Sequence, residues 1–229
     1  MKVLLKLSGE VLGKDKVGFD FDKMLEIANI IKEVKSKSNL EIAIVVGGGN
    51  FYRGRSNDKM DACTSDYIGM LATTMNALAL KDAFLQVGLD AIVQTSVNIS
   101  PIIKSFNKDE AVNYLKNQKI VIFGAGTGLP FFSTDTAASL RCLEIGADIL
   151  LKATNVDYLY DKDPKKYNDY KIIKDTTYEK VIEDKLKVMD LTAITLCMEN
   201  HIPIRIFNLN NLDNLKKVLL NEEIGSIIH

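Results

Sequence analysis

The 229-residue chain reads as an α/β protein in which helices cover both faces of a mainly parallel sheet. Short aliphatic or β-branched runs alternate with segments of helical periodicity along the whole length, and several of those runs stop at glycine. The runs are continuously apolar, the pattern of strands buried on both faces. Composition agrees: 47% hydrophobic and 26% charged residues are ordinary for a globular protein, and the length can build a full core as one large or two small domains.

Lys2–Leu7 is a strand that leaves into a loop at Ser8-Gly9-Glu10. Met24, Ile27, Ala28, Ile31 and Val34 recur at helical spacing and mark one face of a helix. Ile42–Val46 is a strand broken by Gly47-Gly48-Gly49-Asn50. Thr64–Gln86 is a long helix, apolar on more than one face, which exceeds what packing on a single sheet would bury. Ala91–Thr95 is a strand, Glu110–Lys116 a short helix, and Ile120–Phe123 a strand running into Gly124-Ala125-Gly126-Thr127-Gly128. Ser133, Thr134 and Asp135 can cap a helix over Ala137–Ile145. Ile149–Lys152 is the next strand, and Tyr158–Asp175, rich in Lys, Asp and Tyr, is the most loop-like stretch. Thr177–Lys185 and Leu191–Asn200 are helices, with Asp190 most simply the N-cap of the second. Ile204–Phe207, Leu212–Leu220 and Ile224–Ile228 close the chain as strand, helix and strand.

Charge and residue usage exclude several functions. With 29 Lys+Arg against 30 Asp+Glu there is no whole-chain attraction toward nucleic acid or an anionic membrane, so any phosphate binding must be local. No apolar run approaches the ~20 residues that span a bilayer. The apolar stretch in Met1–Ser8 is too interrupted for a signal-peptide core, so a cytoplasmic protein is expected. Cys63, Cys142 and Cys197 fit neither a disulfide framework nor a zinc knuckle, and His201 and His229 lie far from any nucleophile context.

In a sheet of this kind ligands bind beyond the carboxyl ends of the strands. Those ends carry Ser8-Gly9, Gly47–Gly49, Gly124–Gly128 and Lys152–Asn155. Gly47–Gly49, followed by Arg53 and Arg55, can serve a tight turn, but its backbone N–H groups also suit a phosphate, the favoured reading. The Gly124–Gly128 loop matches neither the dinucleotide fingerprint nor the G-x-x-x-x-G-K-[ST] phosphate loop. Asp135 can be a helix cap, a ligand for Mg²⁺ between phosphates, or both. Lys6 sits inside an apolar strand, either outward on an edge like Lys2, whose parity it shares, or facing an anion. Lys152 occupies the matching position in its own strand, and two such lysines would suit the charge of a transferred phosphoryl group. Tyr158–Pro164 is a solvated turn or a loop whose aromatic stacks on a base, and the residues alone do not decide.

Lys6-Leu7-Ser8-Gly9-Glu10, Gly47–Asn50 with Arg53-Gly54, Asp66–Thr73, Gly126–Asp135, Leu151–Asp157, Lys187–Leu191 and Pro203–Asn208 together resemble the bacterial uridylate (UMP) kinases of the amino-acid kinase fold family. The likeness runs from Lys2 to the C-terminus in order. The triple glycine is shared across the superfamily, whereas the Asp66 block and Thr127–Asp135 are specific to UMP kinases. The resemblance implies a three-layer αβα sandwich forming a single domain over residues 1–229, its N-terminal part binding UMP and its C-terminal part ATP. It implies transfer of the γ-phosphoryl group of ATP to UMP with Mg²⁺ in pyrimidine nucleotide biosynthesis. Inhibition by UTP and a homohexamer built from dimers follow from the same likeness, with no nucleic acid or membrane needed.

Carried onto this chain, the likeness places Lys6, Leu7, Ser8 and Gly9 at the ATP phosphates, with Gly49 and Arg53 holding phosphate oxygens near the transfer point. Gly48 would touch UMP and Asp66 would bind its ribose hydroxyls. Thr127, Gly128, Leu129, Pro130, Phe131, Phe132, Ser133 and Thr134 would line the UMP site. Thr154, Asn155, Tyr160 and Asp163 would hold the adenosine side of ATP. Asp135 would organise the metal and the lysines, so that Lys6, Arg53, Asp135, Lys152 and the more remote Asp190 form the catalytic set. Lys6, Arg53 and Asp135 belong to a site and not to a core, so folding is expected to tolerate their replacement. The chain departs from the family pattern at Ser133 (usually Thr), Tyr158 (usually Gly), Ala62 (often Arg) and Ile92. Arginine at the last position contacts GTP in activated relatives, and Ile92 therefore implies weak or absent activation. A carbamate or amino-acid kinase would lack the Asp66 block, and a nucleotide-binding regulator without turnover would not need Lys6, Arg53, Asp135 and Lys152.

Overall fold

The computed structural model describes residues 1–14, 18–54, 59–162, 164 and 166–229. In chain order the first half comprises β1 (Lys2–Leu7), α1 (Gly9–Leu12), α2 (Phe21–Lys37), β2 (Glu41–Val46), α3 (Ala62–Gln86), β3 (Ala91–Thr95), β4 (Lys104–Ser105), α4 (Lys108–Lys116) and β5 (Ile120–Gly124). The second half comprises α5 (Thr134–Ile145), β6 (Ile149–Thr154), β7 (Leu159–Tyr160), β8 (Ile172–Ile173), β9 (Asp175–Thr176), α6 (Tyr178–Glu183), α7 (Leu191–Glu199), β10 (Ile204–Asn208), α8 (Asp213–Leu219) and β11 (Ser226–Ile228).

Among the described residues, nine strands form one sheet in the order β4-β3-β5-β2-β1-β6-β10-β11-β9. It is parallel except where β11 runs against β10, as the alternating pattern predicts. Successive side chains of β1 go to opposite faces. Val3, Leu5 and Leu7 join the core formed with α2, α3 and α8, including Ile27, Ile31, Leu80, Phe84 and Leu215. Leu4 joins the core on the other face, with Leu115 of α4, Cys142 of α5, Val181 of α6 and Ile194 of α7. The sheet is thus the middle of three layers. Cys142 and Cys197 fill the second core, where burial pushes both thiols up and keeps them protonated.

Several elements differ from the sequence reading, each for a local reason. Ser8 opens the one-turn helix α1, where a loop was expected. Asp61 caps α3 by accepting from the Thr64 N–H at 2.9 Å, so this helix begins two residues early. Tyr158–Asp175 is not all loop: β7 pairs with β8 as a small hairpin, and β9 extends the main sheet. Two-residue strands are held by backbone bonds that composition does not report.

The glycine turn after β2 is held from below by two buried amides. Asn50 and Asn76 exchange hydrogen bonds at 2.7 and 2.9 Å, and Asn76 also donates to the Gly47 carbonyl at 2.7 Å. Asn76 is fully buried, so every one of these groups depends on its protein partner. Asn76→Ala, which leaves the Gly47 carbonyl and the Asn50 amide short of partners, is expected to cost about 1–3 kcal/mol in urea-induced unfolding.

Candidate active site

Strand order reverses at β1, which lies between β2 and β6, and the chain opens a crevice beyond their carboxyl ends. The first two turns there touch. A Cβ added to Gly9 would lie 2.4 Å from the Gly49 nitrogen, and one added to Gly48 would lie 2.8 Å from the Ala72 Cβ. Gly49 differs, because an added Cβ would meet nothing nearer than 3.9 Å. Within the triple glycine, packing therefore demands Gly48, while Gly49 presents open backbone.

Beneath this turn lies a buried cluster of charge. Parallel pairing of β1 with β6 sets Lys6 opposite Lys152 in register. Both are only 9% exposed, so Lys6 is not an outward edge lysine. Asp135, in the first turn of α5, separates them: Lys6 Nζ stands 2.9 Å from Oδ1, and Lys152 Nζ donates to Oδ2 at 2.7 Å. Burial alone would raise the Asp135 carboxyl, but the two ammonium groups outweigh it and hold it below the ordinary carboxylate value. Burial pushes the Lys152 ammonium down, only partly offset by Asp135. Lys152 also donates to the Val188 carbonyl.

Asp135 is not the helix cap; Ser133 is, its Oγ accepting from the Asp135 and Thr136 N–H groups at 3.0 and 3.1 Å. The Ser133 hydroxyl in turn donates to Asp190. The other oxygen of Asp190 accepts from Thr136 Oγ1 at 2.8 Å and from the Ala193 N–H at 3.0 Å. Asp190 is thus the N-cap of α7, as its position suggested, and it also ties the starts of α5 and α7 together.

A cavity of about 1060 Å³ opens above the cluster. Of the residues singled out from the sequence, Lys6, Gly48, Gly49, Asp66, Thr127, Phe131, Phe132, Ser133, Thr134, Asp135 and Asp190 line it. Asp66 Oδ2 accepts from the Phe131 N–H at 2.6 Å, which links α3 to the loop before α5. Gly128, Leu129 and Pro130 belong to the same loop but are not part of the lining. Arg53 pairs with Glu10 beside Gly49 at the margin. Leu7 is wholly buried, so it can offer only backbone.

Ser8 and Gly9 start α1, and Thr154 and Asn155 stand at the end of β6, none of them in the lining. Thr154 Oγ1 lies 2.9 Å from the Val156 carbonyl and 3.2 Å from the Phe207 carbonyl, either of which can take its single proton, and the Tyr160 ring packs edge-on against Tyr170 with centroids 5.1 Å apart. Asp163 and Arg55 lie outside the described residues.

Sequence reasoning missed Asn76 and the lining residue Ser65, and gave no role to Glu10, Gly69, Thr73 and Lys187 although they lie in the motifs that carry the resemblance. The signal for part of this set was present: Ala62, Ser65, Asp66, Gly69 and Thr73 follow helical spacing and form one small, polar stripe of α3. Thr73 Oγ1 accepts from the Ala125 N–H at 2.7 Å and so joins that stripe to the Gly124–Gly128 loop.

The arrangement suits a small cation with phosphate. Lys6 sits off the hydrogen-bonding direction of Asp135 Oδ1, which leaves that buried oxygen without an aligned donor. Among the described residues no cluster of His, Cys, Asp and Glu could form an all-protein cage. One carboxylate completed by substrate oxygens is the usual setting for Mg²⁺, and these residues fit it.

A parallel sheet whose glycine turns, Lys6 and Asp135 converge on one crevice, with Lys152 behind Asp135, defines a phosphotransferase-type site. The amino acid kinase family matches residues 1–208, and the chain belongs to that family. Within it the chain groups with the UMP kinases. It is similar to the UMP kinase of Bacillus anthracis (31% identity, TM-score 0.95, covering 100% of this chain and 95% of that one). It is also similar to the UMP kinase of Ureaplasma parvum (32% identity, TM-score 0.92, 99% and 97% covered). The uridylate kinase of Archaeoglobus fulgidus matches at 28% identity with a TM-score of 0.76 over 100% of both chains.

Because Lys6 and Asp135 are buried together with Lys152, the expectation that folding tolerates replacement of Lys6 or Asp135 gives way to a stability cost. In buffer free of divalent cations at pH 7, Asp135→Asn should lose about 3–5 kcal/mol, since two lysines remain without their counter-ion. The Asp135 carboxyl is depressed in the folded state, so its contribution is present above the unfolded value near pH ~4 and fades as pH falls through the folded value. Urea titrations of the two proteins should therefore differ most at neutral pH and converge in acid.

Proposed function

We propose that this chain is a cytoplasmic UMP kinase of pyrimidine nucleotide biosynthesis, transferring the γ-phosphoryl group of ATP to UMP to give UDP and ADP. The observation that carries the reading is that Lys6, Asp135, Gly49 and Asp66 line one cavity in a chain similar to solved UMP kinases along its full length. The acceptor is already an ionised phosphate, so the reaction needs positioning and charge neutralisation more than a base. That fits a site lined by neither His nor Cys among the described residues.

In this reading the single domain divides its labour. UMP lies over Gly48 with its ribose at Asp66, which exchanges the Phe131 N–H for the sugar hydroxyls, and its base lies along Thr127–Thr134. ATP enters over Ser8, Gly9 and Gly49, with its adenosine toward Thr154, Asn155, Tyr160 and Asp163. Lys6 and Arg53 meet the transferring group; Arg53 exchanges the exposed carboxylate of Glu10 for phosphate. Lys152 and Asp190 hold Asp135 in place from behind. Asp135 would hold Mg²⁺ against the phosphate oxygens, where the ion's charge offsets that developing on the phosphates. UTP would inhibit by competing at Asp66 and Thr127. Ile92 lies inside β3 and Lys119 is paired with Asp90 at 3.4 Å, in keeping with little or no activation by GTP. The purified protein with ATP and Mg²⁺ should phosphorylate UMP, with kcat/KM for dUMP lower by roughly 10- to 150-fold, the loss of one hydrogen bond to a charged group. Coupled ADP release checks this, and equal turnover of the two would remove Asp66 from the ribose.

The outer face of α3 supports self-association. Tyr67, Leu71 and Met75 are 47%, 54% and 42% exposed and, four residues apart, form a single apolar ridge. Pairing of this ridge between copies would build the dimers of a homohexamer. Light scattering at micromolar concentration should find no stable monomer, and Leu71→Glu should weaken the assembly.

A further inference from the structure

Arg141 of α5 is 4% exposed, yet the reaction described above makes no use of it. Its guanidinium lies over the Phe106 ring, 3.7 Å from the centroid, and Nη1 pairs with Glu144. Nη2 donates to Ser96 Oγ at 2.8 Å, and Ser96 Oγ donates to the Gly126 carbonyl at 2.7 Å. Arginine has donors only, so the Ser96 oxygen must accept from it, and the single hydroxyl proton is committed to Gly126. Packing against Phe106 alone would be served by a methionine or leucine without the cost of burying charge. What the guanidinium adds is direction.

A second set of contacts shows that Ser96 meets the glycine loop at three residues, Gly124, Gly126 and Gly128. Gly128 has φ +83°, and a Cβ there would lie 2.9 Å from both the Ser96 Cβ and its carbonyl oxygen. The Ser96 N–H also reaches the Gly124 carbonyl at 3.4 Å. Gly126, at φ +55°, belongs to the most permissive part of this turn, where the backbone has the most freedom to reorient. Holding its carbonyl toward Ser96 sends the N–H of Thr127 to the opposite side of the same trans peptide. Gly126 and Thr127 both line the cavity.

We propose that Arg141, acting through Ser96, is a positioning residue that locks the Gly126–Gly128 turn in its UMP-binding orientation without touching either nucleotide. The inference rests on the reading of this cavity as the UMP site. A residue that only orients the bound nucleotide's seat changes uniform binding, which appears in KM and not in kcat.

The test is steady-state kinetics of the full chain and its Ser96→Ala, Arg141→Met and double variants, with each substrate varied at saturating levels of the other. UMP affinity without ATP is measured by calorimetry on the same proteins. Each single change should raise KM and Kd for UMP by roughly 10-fold, the worth of one hydrogen bond, with kcat and KM for ATP nearly unchanged. The double variant should be no worse than the poorer single, because both break one chain of bonds. Should Arg141→Met fail to fold, Ser96→Ala, which deletes one oxygen, carries the test alone. Normal UMP turnover with an unchanged UMP KM in Ser96→Ala, a parallel rise in both KM values, or fully multiplicative effects would overturn the positioning role alone. Absence of UMP turnover and binding in the unmodified protein would overturn the UMP reading and this inference with it.

Discussion

Parallel pairing of β1 with β6 puts two lysines side by side on one face of the sheet, at the strand spacing of about 4.8 Å. Neither can turn away, because both strands are central and the odd-numbered β1 positions Val3, Leu5 and Leu7 already fill the opposite core. Two ammonium groups in that position require an anion between them, and Asp135 supplies it. The rest of the site follows from keeping that carboxylate in place. Ser133 fixes the first turn of α5, Asp190 fixes Ser133 and the start of α7, and the Val188 carbonyl takes a further proton of Lys152. Helices that begin at a buried charge cluster cannot slide along the sheet without breaking it.

Around this fixed floor the cavity walls are held by neutral hydrogen bonds. The Asn50–Asn76 exchange secures the glycine turn after β2, and Thr73 with Ser96 grips the turn after β5 from two sides. Backbone N–H groups in such turns are useful to a phosphate only if their direction is set beforehand, since a ligand that must first order them loses affinity to that ordering. Exposed pairs such as Arg53–Glu10 contrast with the floor. They add little to stability, and so can be exchanged for a ligand's charge at small cost.

Much of this was legible in the sequence because it is local. Strands buried on both faces show as unbroken apolar runs, helices show as 3.6-residue periodicity, and the strand-ending glycines mark where the backbone turns. The glycine turns and Asp135 were therefore legible at the strand ends before any coordinates, whereas Asp66 came only from the resemblance to UMP kinases. Part of the small polar stripe of α3 could also have been read, from Asp66 by helical spacing alone. The two-residue strands β7, β8 and β9 could not, because nothing in a Lys- and Tyr-rich stretch announces backbone pairing.

By itself the sequence determined the layer order, the buried faces and the residue types waiting at the strand ends. It could not distinguish Lys6 from Lys2, which have the same parity in the same strand. Tertiary structure does, because register places Lys6 against Lys152 and Asp135, while Lys2 lies at the far end beside Glu41 and the Ile145 carbonyl. Nor could spacing decide that Ser133 and not Asp135 caps α5, since both side chains suit the role and only the two lysines claim one of them. Arg141 was silent for the same reason: its partner Ser96 is distant in the chain, and the two meet, with Ser96 on the Gly126 carbonyl, only when β3, β5 and α5 are packed. Local pattern follows from backbone geometry, whereas the pairing of charges follows from which strands become neighbours.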